Sequence, residues 1–424
     1  MGIEGDPREV LWLRADAFAA LRYPEFRRLG FATFLITAAI LIQEVALGYE
    51  LYRITGDPLM LGLVGLAEAV PFMALALFGG HLADRREKVR LMKSSLLVIL
   101  FGSAVLLWVM RPALRDSLSQ TQLLLAIYST IFVLGLARGI YSPAGSSLKA
   151  FLVPRKIYPN SSTWISTFWQ AGAVLGPACA GFLIAAFSLT GTLAVVVAMF
   201  VLALWLITGI APRHAPPQGA FADNVWQSLR EGLDYVFKTR ILLYAISLDM
   251  FSVLFAGVVA ILPVFASDIL VVGPEGLGIL RAAPSIGALL TMLVCAYYTP
   301  VHHAWRNLLW AVAGFGLATL VFAVSKSFWL SAAMLFLTGA FDSISVIIRQ
   351  TILQVMTPDH LRGRVQSVNS LFVSTSNELG AFESGLAAKL MGTVPSVLFG
   401  GAVTMATVTY IWRRSRDLFG VKLT

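Results

Sequence analysis

Carboxylates set inside apolar runs are the residues of this chain with the most chemistry to offer. Glu68 stands in "VGLAEAVPF", Asp249 in "ISLDMFSV", Asp342 in "GAFDSISV", Glu378 and Glu383 in "SNELGAFESG", and Glu44 follows "ILIQ". An ionised side chain at the centre of a bilayer costs at least about 2.5 to 3.5 kcal/mol on insertion scales, so acids kept there are candidates for function. Desolvation raises a carboxylate's pKa and a nearby base lowers it; a group poised between the two can load a proton on one side of a membrane and release it on the other. At about 1.5 Å per residue, Glu68 lies about 15 Å and Asp249 about 14 Å into their runs, near mid-membrane. Asp342 and Glu378 fall off centre, Glu44 and Glu383 sit further out, and Glu50 is expected to be solvated or to snorkel near the surface. Glu68 and Asp342 rank first as proton carriers, with Glu44 and Glu378 next. The five histidines, His81, His214, His302, His303 and His360, all fall at or beyond the ends of apolar runs. Arg138 and Arg349 lie inside such runs and are placed to pair with acids or to bind an anionic substrate.

Helices must carry these residues. Of 424 residues, 58% are hydrophobic and 13% charged, against about 25% charged in an ordinary soluble domain. Apolar stretches close to the ~20 residues of a helical bilayer crossing recur along the chain. They lack the alternation of a membrane barrel, and in lipid only helices or closed barrels satisfy their own backbone groups. Twelve spans are expected, beginning near Leu29, Pro58, Leu91, Thr121, Ser161, Thr190, Arg240, Gly276, Asn307, Phe328, Val365 and Pro395. The chain thus reads as an all-α membrane protein: a cytoplasmic segment 1–28, a six-helix bundle 29–210, a linker 211–239, a second bundle 240–413 and a tail 414–424. The linker opens "APRHAPPQGA", and its apolar spacing then predicts a helix lying on the membrane surface. The first run is too long for a cleavable signal and is expected to stay as an anchor.

Positive charge orients the spans. Of the 32 Lys and Arg, 24 fall on the side that holds both termini, and only Arg53, Arg111, Arg115, Lys326 and Lys389 on the other. Loops rich in Lys and Arg stay in the cytoplasm, so both termini are expected inside a cell inner membrane. This distribution accounts for the basic balance without a nucleic-acid partner. Cys179 and Cys295 read as buried apolar fillers within spans. The chain has no GxxxxGK[ST] loop for ATP and no metal-ligand cluster, and no cofactor is expected. No His, Ser or metal cluster converges on one depth, which argues against a membrane-embedded enzyme.

The halves resemble each other. A shift of 204 residues aligns Gly135 with Gly339, Pro154 with Pro358, Gly176 with Gly380 and Gly181 with Gly385, and a shift of 216 aligns Pro58 with Pro274 and Gly62 with Gly278. Repeats of this kind build secondary transporters around a central cavity.

The hinge "GGHLADRREKVR" at residues 79 to 90 resembles the loop between helices 2 and 3 of the major facilitator superfamily, with Gly80, Asp84, Arg85 and Lys88 matching and Glu87 where that family usually has glycine. "GAVLGPACAG" is similar to the superfamily's exporter element at Gly172, Gly176, Pro177 and Gly181. "FRRLGF", "LYRITGDPLMLGLVGLAEAVPF" and "TPDHLRGRVQSV" resemble the branch of enterobactin and macrolide exporters. The resemblance implies two pseudo-symmetric bundles working by alternating access. It also implies a cytoplasmic latch in which Asp84 and its neighbours meet the start of span 11 near Arg362 and Arg364. The expected activity is export of a small amphiphilic molecule, siderophore or drug-like, by proton antiport. A lipid or lysophospholipid translocator and a non-transporting receptor or scaffold of the same fold are the alternatives. The expected partners are the small-molecule substrate, protons and membrane lipids, and the expected state is a monomer. Trp164, Trp169, Tyr49, Tyr128, Tyr244, Phe251 and Phe255 are the aromatic residues available to line a cavity for a bulky substrate.

Overall fold

A computed structural model describes residues 17–212, 225–298, 303–358 and 361–420, with the side chains of residues 76–85, 147, 150, 155, 159, 225–229 and 296 outside that description. The long helices are α1 (Pro24–Thr55), α2 (Pro58–Arg85), α3 (Lys88–Val109), α4 (Gln120–Leu148), α5 (Tyr158–Thr208) and α6 (Val225–Lys238) in the first part of the chain. They continue as α7 (Arg240–Ala256), α8 (Gly273–Tyr297), α9 (Ala304–Val324), α10 (Phe328–Met356), α11 (Arg362–Met391) and α12 (Thr393–Arg414). Ten stretches among the described residues are long and apolar enough to cross a membrane. Helix α5 counts once among them although it has 51 residues; it breaks at Ser188, whose φ of 59° and ψ of 178° are not helical. Helix α11 falls outside the ten, since it carries Arg362, Arg364, Asn369, Asn377, Glu378, Glu383 and Lys389.

Local chemistry fixes the helix starts. Asp57 accepts the Leu59 N–H at 3.0 Å just before Pro58 opens α2. Ser119 and Gln122 form a reciprocal capping box on α4, which satisfies two otherwise orphaned donors. Glu87 accepts from the Arg90 N–H at 3.2 Å and caps α3. The residue that departs from the superfamily's glycine at this turn therefore supplies a helix cap.

The described residues cluster into two compact units. One takes them from within Met1–Gln43, Val70–Gly176 and Phe187–Gln218, the other from within Glu44–Ala69, Pro177–Ala186 and Gly219–Thr424. In the first unit, Leu193, Val196, Phe200, Ala203 and Ile207 of α5 recur every three or four residues and are fully buried, whereas Trp205 is 68% exposed. Helix α3 does the same, with Met92, Leu96, Ile99 and Leu106 inward and Phe101 outward. A helix apolar on all sides is what a bilayer solvates.

In the second unit α7, α9, α10, α11 and α12 close around Leu242, Leu248, Trp305, Leu308, Ile348, Ile352 and Val368. The linker helix α6 docks here: Val236 is buried, Tyr235 Oη donates to the Met356 carbonyl at 2.7 Å, and Glu231 pairs with Arg364. Among the described side chains of α6, Leu233, Tyr235 and Val236 pack against the core of the second unit while Phe237 is 59% exposed, so the helix expected on the membrane surface also has a protein-facing side.

Glycines bring four backbones of the second unit together. A Cβ on Gly62 of α2 would stand 2.9 Å from the Phe382 carbonyl oxygen of α11, and one on Gly385 of α11 2.8 Å from the Pro58 oxygen of α2. Likewise a Cβ on Gly278 of α8 would stand 3.0 Å from the Pro177 oxygen of α5, and one on Gly181 of α5 would collide with the Pro274 oxygen of α8. The repeat pairs Gly181 with Gly385, Pro58 with Pro274 and Gly62 with Gly278. The two contacts are thus one contact made twice with the halves exchanged.

Candidate functional site

Asp249 on α7 and Arg349 on α10 form an ion pair with side chains 6% and 2% exposed. Arg349 Nε has no hydrogen-bond partner among the described residues. Asp342, Ser345 and Arg349 follow one face of α10 at helical spacing, and Asp249 and Ser252 one face of α7. Between them lies a void of about 10 Å³ lined by Asp249, Ser252, Asp342 and Ser345 on its polar side and by Val312, Phe315 and Phe341 on its apolar side. That is about the room one water requires, and the polar lining suits one. Asp249 and Asp342, two of the acids read from the sequence, thus share one site with Arg349.

Glu378 approaches α2 elsewhere in the second unit, one turn before Glu68. Glu378 Oε2 lies 3.8 Å from where a Cβ on Gly65 of α2 would be, and Glu68 follows one turn along the same helix. Glu383 sits partly buried further along α11.

Glu44 ion-pairs with Arg281 of α8, whose other nitrogen donates to the Val259 carbonyl at 2.9 Å. Further along, Tyr52 Oη of α1 donates to Asp268 at 2.5 Å, and Lys389 of α11 bridges Asp57 at 2.5 Å. Burial pushes the Asp57 carboxyl up, but hydrogen bonds from Lys389 and the Leu59 N–H outweigh it and hold the group below the usual carboxylate range. Because the folded value is the lower one, the bridge's stabilisation is complete above an ordinary aspartate value of about 4 and is lost as pH falls through the depressed value. Glu50, expected to be solvated or to snorkel, is instead 4% exposed and held by Arg53 at 2.6 and 2.8 Å; a neighbouring guanidinium makes burial tolerable where the sequence suggested only proximity to the surface. Sequence reasoning missed Tyr52, Asp57, Asp268 and Lys389, whose only signal was polarity next to turn residues.

In the first unit a cavity of about 450 Å³ opens among α1, α4 and α5 and is lined by Arg138, Lys149 and Trp169 among others. The span-5 glycines serve its wall: a Cβ on Gly172 would stand 2.9 Å from the Phe34 carbonyl oxygen, and one on Gly176 2.9 Å from that of Ala38. Pro177 lies inside α5. Trp164 is not in the cavity but donates its ring N–H to the Ala17 carbonyl at 2.8 Å.

Of the expected latch, the side chains of Gly80, Asp84 and Arg85 lie outside the described residues. Lys88 is buried with its ammonium over the Phe151 ring at 5.1 Å. Arg364 is engaged by Glu231 of the linker helix, and Arg362 donates to the Gln354 carbonyl at 3.3 Å. The thiols also differ from expectation: Cys179 is exposed and Cys295 only partly buried. Among the described residues no cluster of three metal-ligating side chains occurs.

Residues 15–417 match the family described as "Transmembrane secretion effector", MFS_3. The chain is 24% identical over 362 residues to the multidrug efflux pump Tap of Mycolicibacterium fortuitum, covering 83% of this chain and 86% of that protein. It is 25% identical over 388 residues to the enterobactin exporter EntS of Shigella flexneri, covering 89% of this chain and 88% of that one. Among solved structures, a bacterial homologue of the iron transporter ferroportin superposes with a TM-score of 0.70 at 15% identity over 94% of this chain and 99% of that one. The nucleoside transporter NupG gives 0.68 at 14% identity, over 92% and 99%. With a match across nearly its whole length, the chain belongs to the transmembrane secretion effector family of the major facilitator superfamily.

Proposed function

We propose that this protein exports a small amphiphilic molecule, siderophore or drug-like, from the cytoplasm across the cell inner membrane by alternating access, in exchange for protons. It acts as a monomer with twelve crossings and both termini in the cytoplasm. The observation that carries the coupling is the Asp249–Arg349 pair with Asp342 beside it. A carboxylate held in an apolar interior by a single guanidinium is a two-state element: ionised, it stabilises the cation, and protonated, it releases it. Asp342, across a space fit for one water, is the second stop for the proton. The relatives named as an efflux pump and an enterobactin exporter support the outward direction.

Purified protein in liposomes with an imposed pH gradient tests this reading. Gradient-driven movement of a siderophore or drug is expected in the wild type and lost in Asp342→Asn and Asp249→Asn, while exchange of substrate without a gradient persists. Full gradient-driven transport by both variants would remove these acids as carriers, and transport indifferent to the gradient would turn the reading toward a passive lipid or lysophospholipid translocator.

A further inference from the structure

The cavity of the first unit has a charge pattern that the export reading leaves unused. Its wall on α4 is one helical face: Arg138, Tyr141, Ser142, Ser146 and Lys149 all line it, at the three- and four-residue steps that stack side chains along a helix. Arg138 and Lys149 are eleven residues apart, so about 16 Å of helix separates them, Lys149 capping the end of α4 and Arg138 three turns inside it. The three hydroxyl side chains fill the interval. No carboxylate stands among the described residues that line this cavity. The opposite wall, on α1, offers Ile36, Ile40 and Leu41, and Trp169 of α5 closes the side.

Resting on the export reading, we propose that this cavity is the substrate site and that it selects an aromatic or otherwise apolar anion, a carboxylate, sulfonate or acidic phenol. Lys149 receives the acidic group at the mouth, and Tyr141, Ser142 and Ser146 donate hydrogen bonds to it along the way. Arg138 takes it at depth while Trp169 and the α1 aliphatics cover the ring. Cations aligned on one wall of a low-dielectric cleft raise the local concentration of anions and repel cations. Hydroxyl donors between them spare the anion a passage through apolar surface without a partner. The volume of about 450 Å³ suits a drug-sized ligand rather than an ion or a peptide.

The test uses the full chain in lipid nanodiscs and in liposomes, with fluorescein and rhodamine 6G as probes, since they share a xanthene frame and carry opposite charge. The wild type is expected to bind fluorescein at least tenfold more tightly than rhodamine 6G. Lys149→Gln is expected to weaken fluorescein about tenfold, the loss of one charged contact, and to leave rhodamine 6G unchanged or improved; Lys149→Arg should retain the preference. Arg138→Gln should do the same, with unchanged thermal unfolding as the sign that it still folds. A wild type that binds rhodamine 6G as well as fluorescein, fails to bind fluorescein, or keeps its preference in Lys149→Gln overturns the proposal. Displacement of fluorescein by monomeric lysophosphatidylglycerol in preference to aromatic acids overturns it in favour of an anionic lipid. The liposome arm separates the two readings: gradient-driven flux without anion selectivity leaves export standing and this inference failed, whereas selective binding without flux does the reverse.

Discussion

At the scale of single residues, Arg349 is a guanidinium in the interior of the second unit whose charge has to be answered. Arg349 is 2% exposed and Asp249 is its counter-ion. Removing one partner of such a pair leaves an uncompensated charge and costs about 3–5 kcal/mol, while replacing both with apolar groups of similar volume is often neutral. Asp249→Leu and Arg349→Met are each expected to lower the thermal unfolding temperature strongly, and the double variant to recover most of it. The double variant should nevertheless lose gradient-driven transport, because the titratable element is gone although the packing is restored. Unfolding temperatures that simply add, with the double variant as unstable as the two losses combined, would show that the pair is not coupled. The sequence exposed both residues as charges in apolar runs but not their pairing, because α7 and α10 are distant in the chain and spacing says nothing about which helices touch.

Among elements, the repeated glycine contacts of α2 with α11 and α5 with α8 bring the chain's two halves together within the second unit. Backbone atoms approach so closely there that any side chain must part the helices, and close packing of small residues is the main source of helix affinity in lipid. Gly385→Val and Gly181→Val are therefore expected to separate these pairs. The measurement is labelling of Ala381→Cys, whose side chain packs against Gly65 of α2, by a membrane-impermeant maleimide after Cys179 and Cys295 are replaced by serine. Slow labelling in the parent and labelling accelerated tenfold or more in the valine variants is the expected result; equal rates would mean that the contact does not seal this end. The sequence disclosed this interface better than any other, since the aligned glycines and prolines are the residues that touch. It did not foresee the protein contacts of α6, where an amphipathic pattern looks the same whether it meets lipid or protein. It failed at Glu50, because depth along a helix does not tell which neighbour stands beside it.

For the molecule as a whole, the decisive quantity is the number of times α5 crosses. At about 1.5 Å per residue its 51 residues span about 77 Å, more than twice the ~30 Å hydrocarbon core. A single crossing would leave "FSLTGTLAVVVAMFVLALWL" largely in water, at a cost of about 0.8 kcal/mol for every methylene that lipid would have covered. The break at Ser188 is where the chain is expected to turn back, and Thr190 Oγ1 donating to the Met110 carbonyl just past the end of α3 at 3.3 Å ties that break to the α3–α4 connection, which carries Arg111 and Arg115. Two crossings by α5, together with one by the more polar α11, would bring the ten apolar stretches to twelve spans and are expected to put both termini on the side rich in Lys and Arg. Fusions read this out: alkaline phosphatase joined after Thr190 or after Asp116 is expected to be active, and green fluorescent protein at the C-terminus to fluoresce. A C-terminal fusion that stays dark, with phosphatase active after Gly209 as well as after Thr190, would mean that α5 does not return. The parity of the spans, the cytoplasmic termini and the pairing of the two halves would then all fail together, because each depends on that turn.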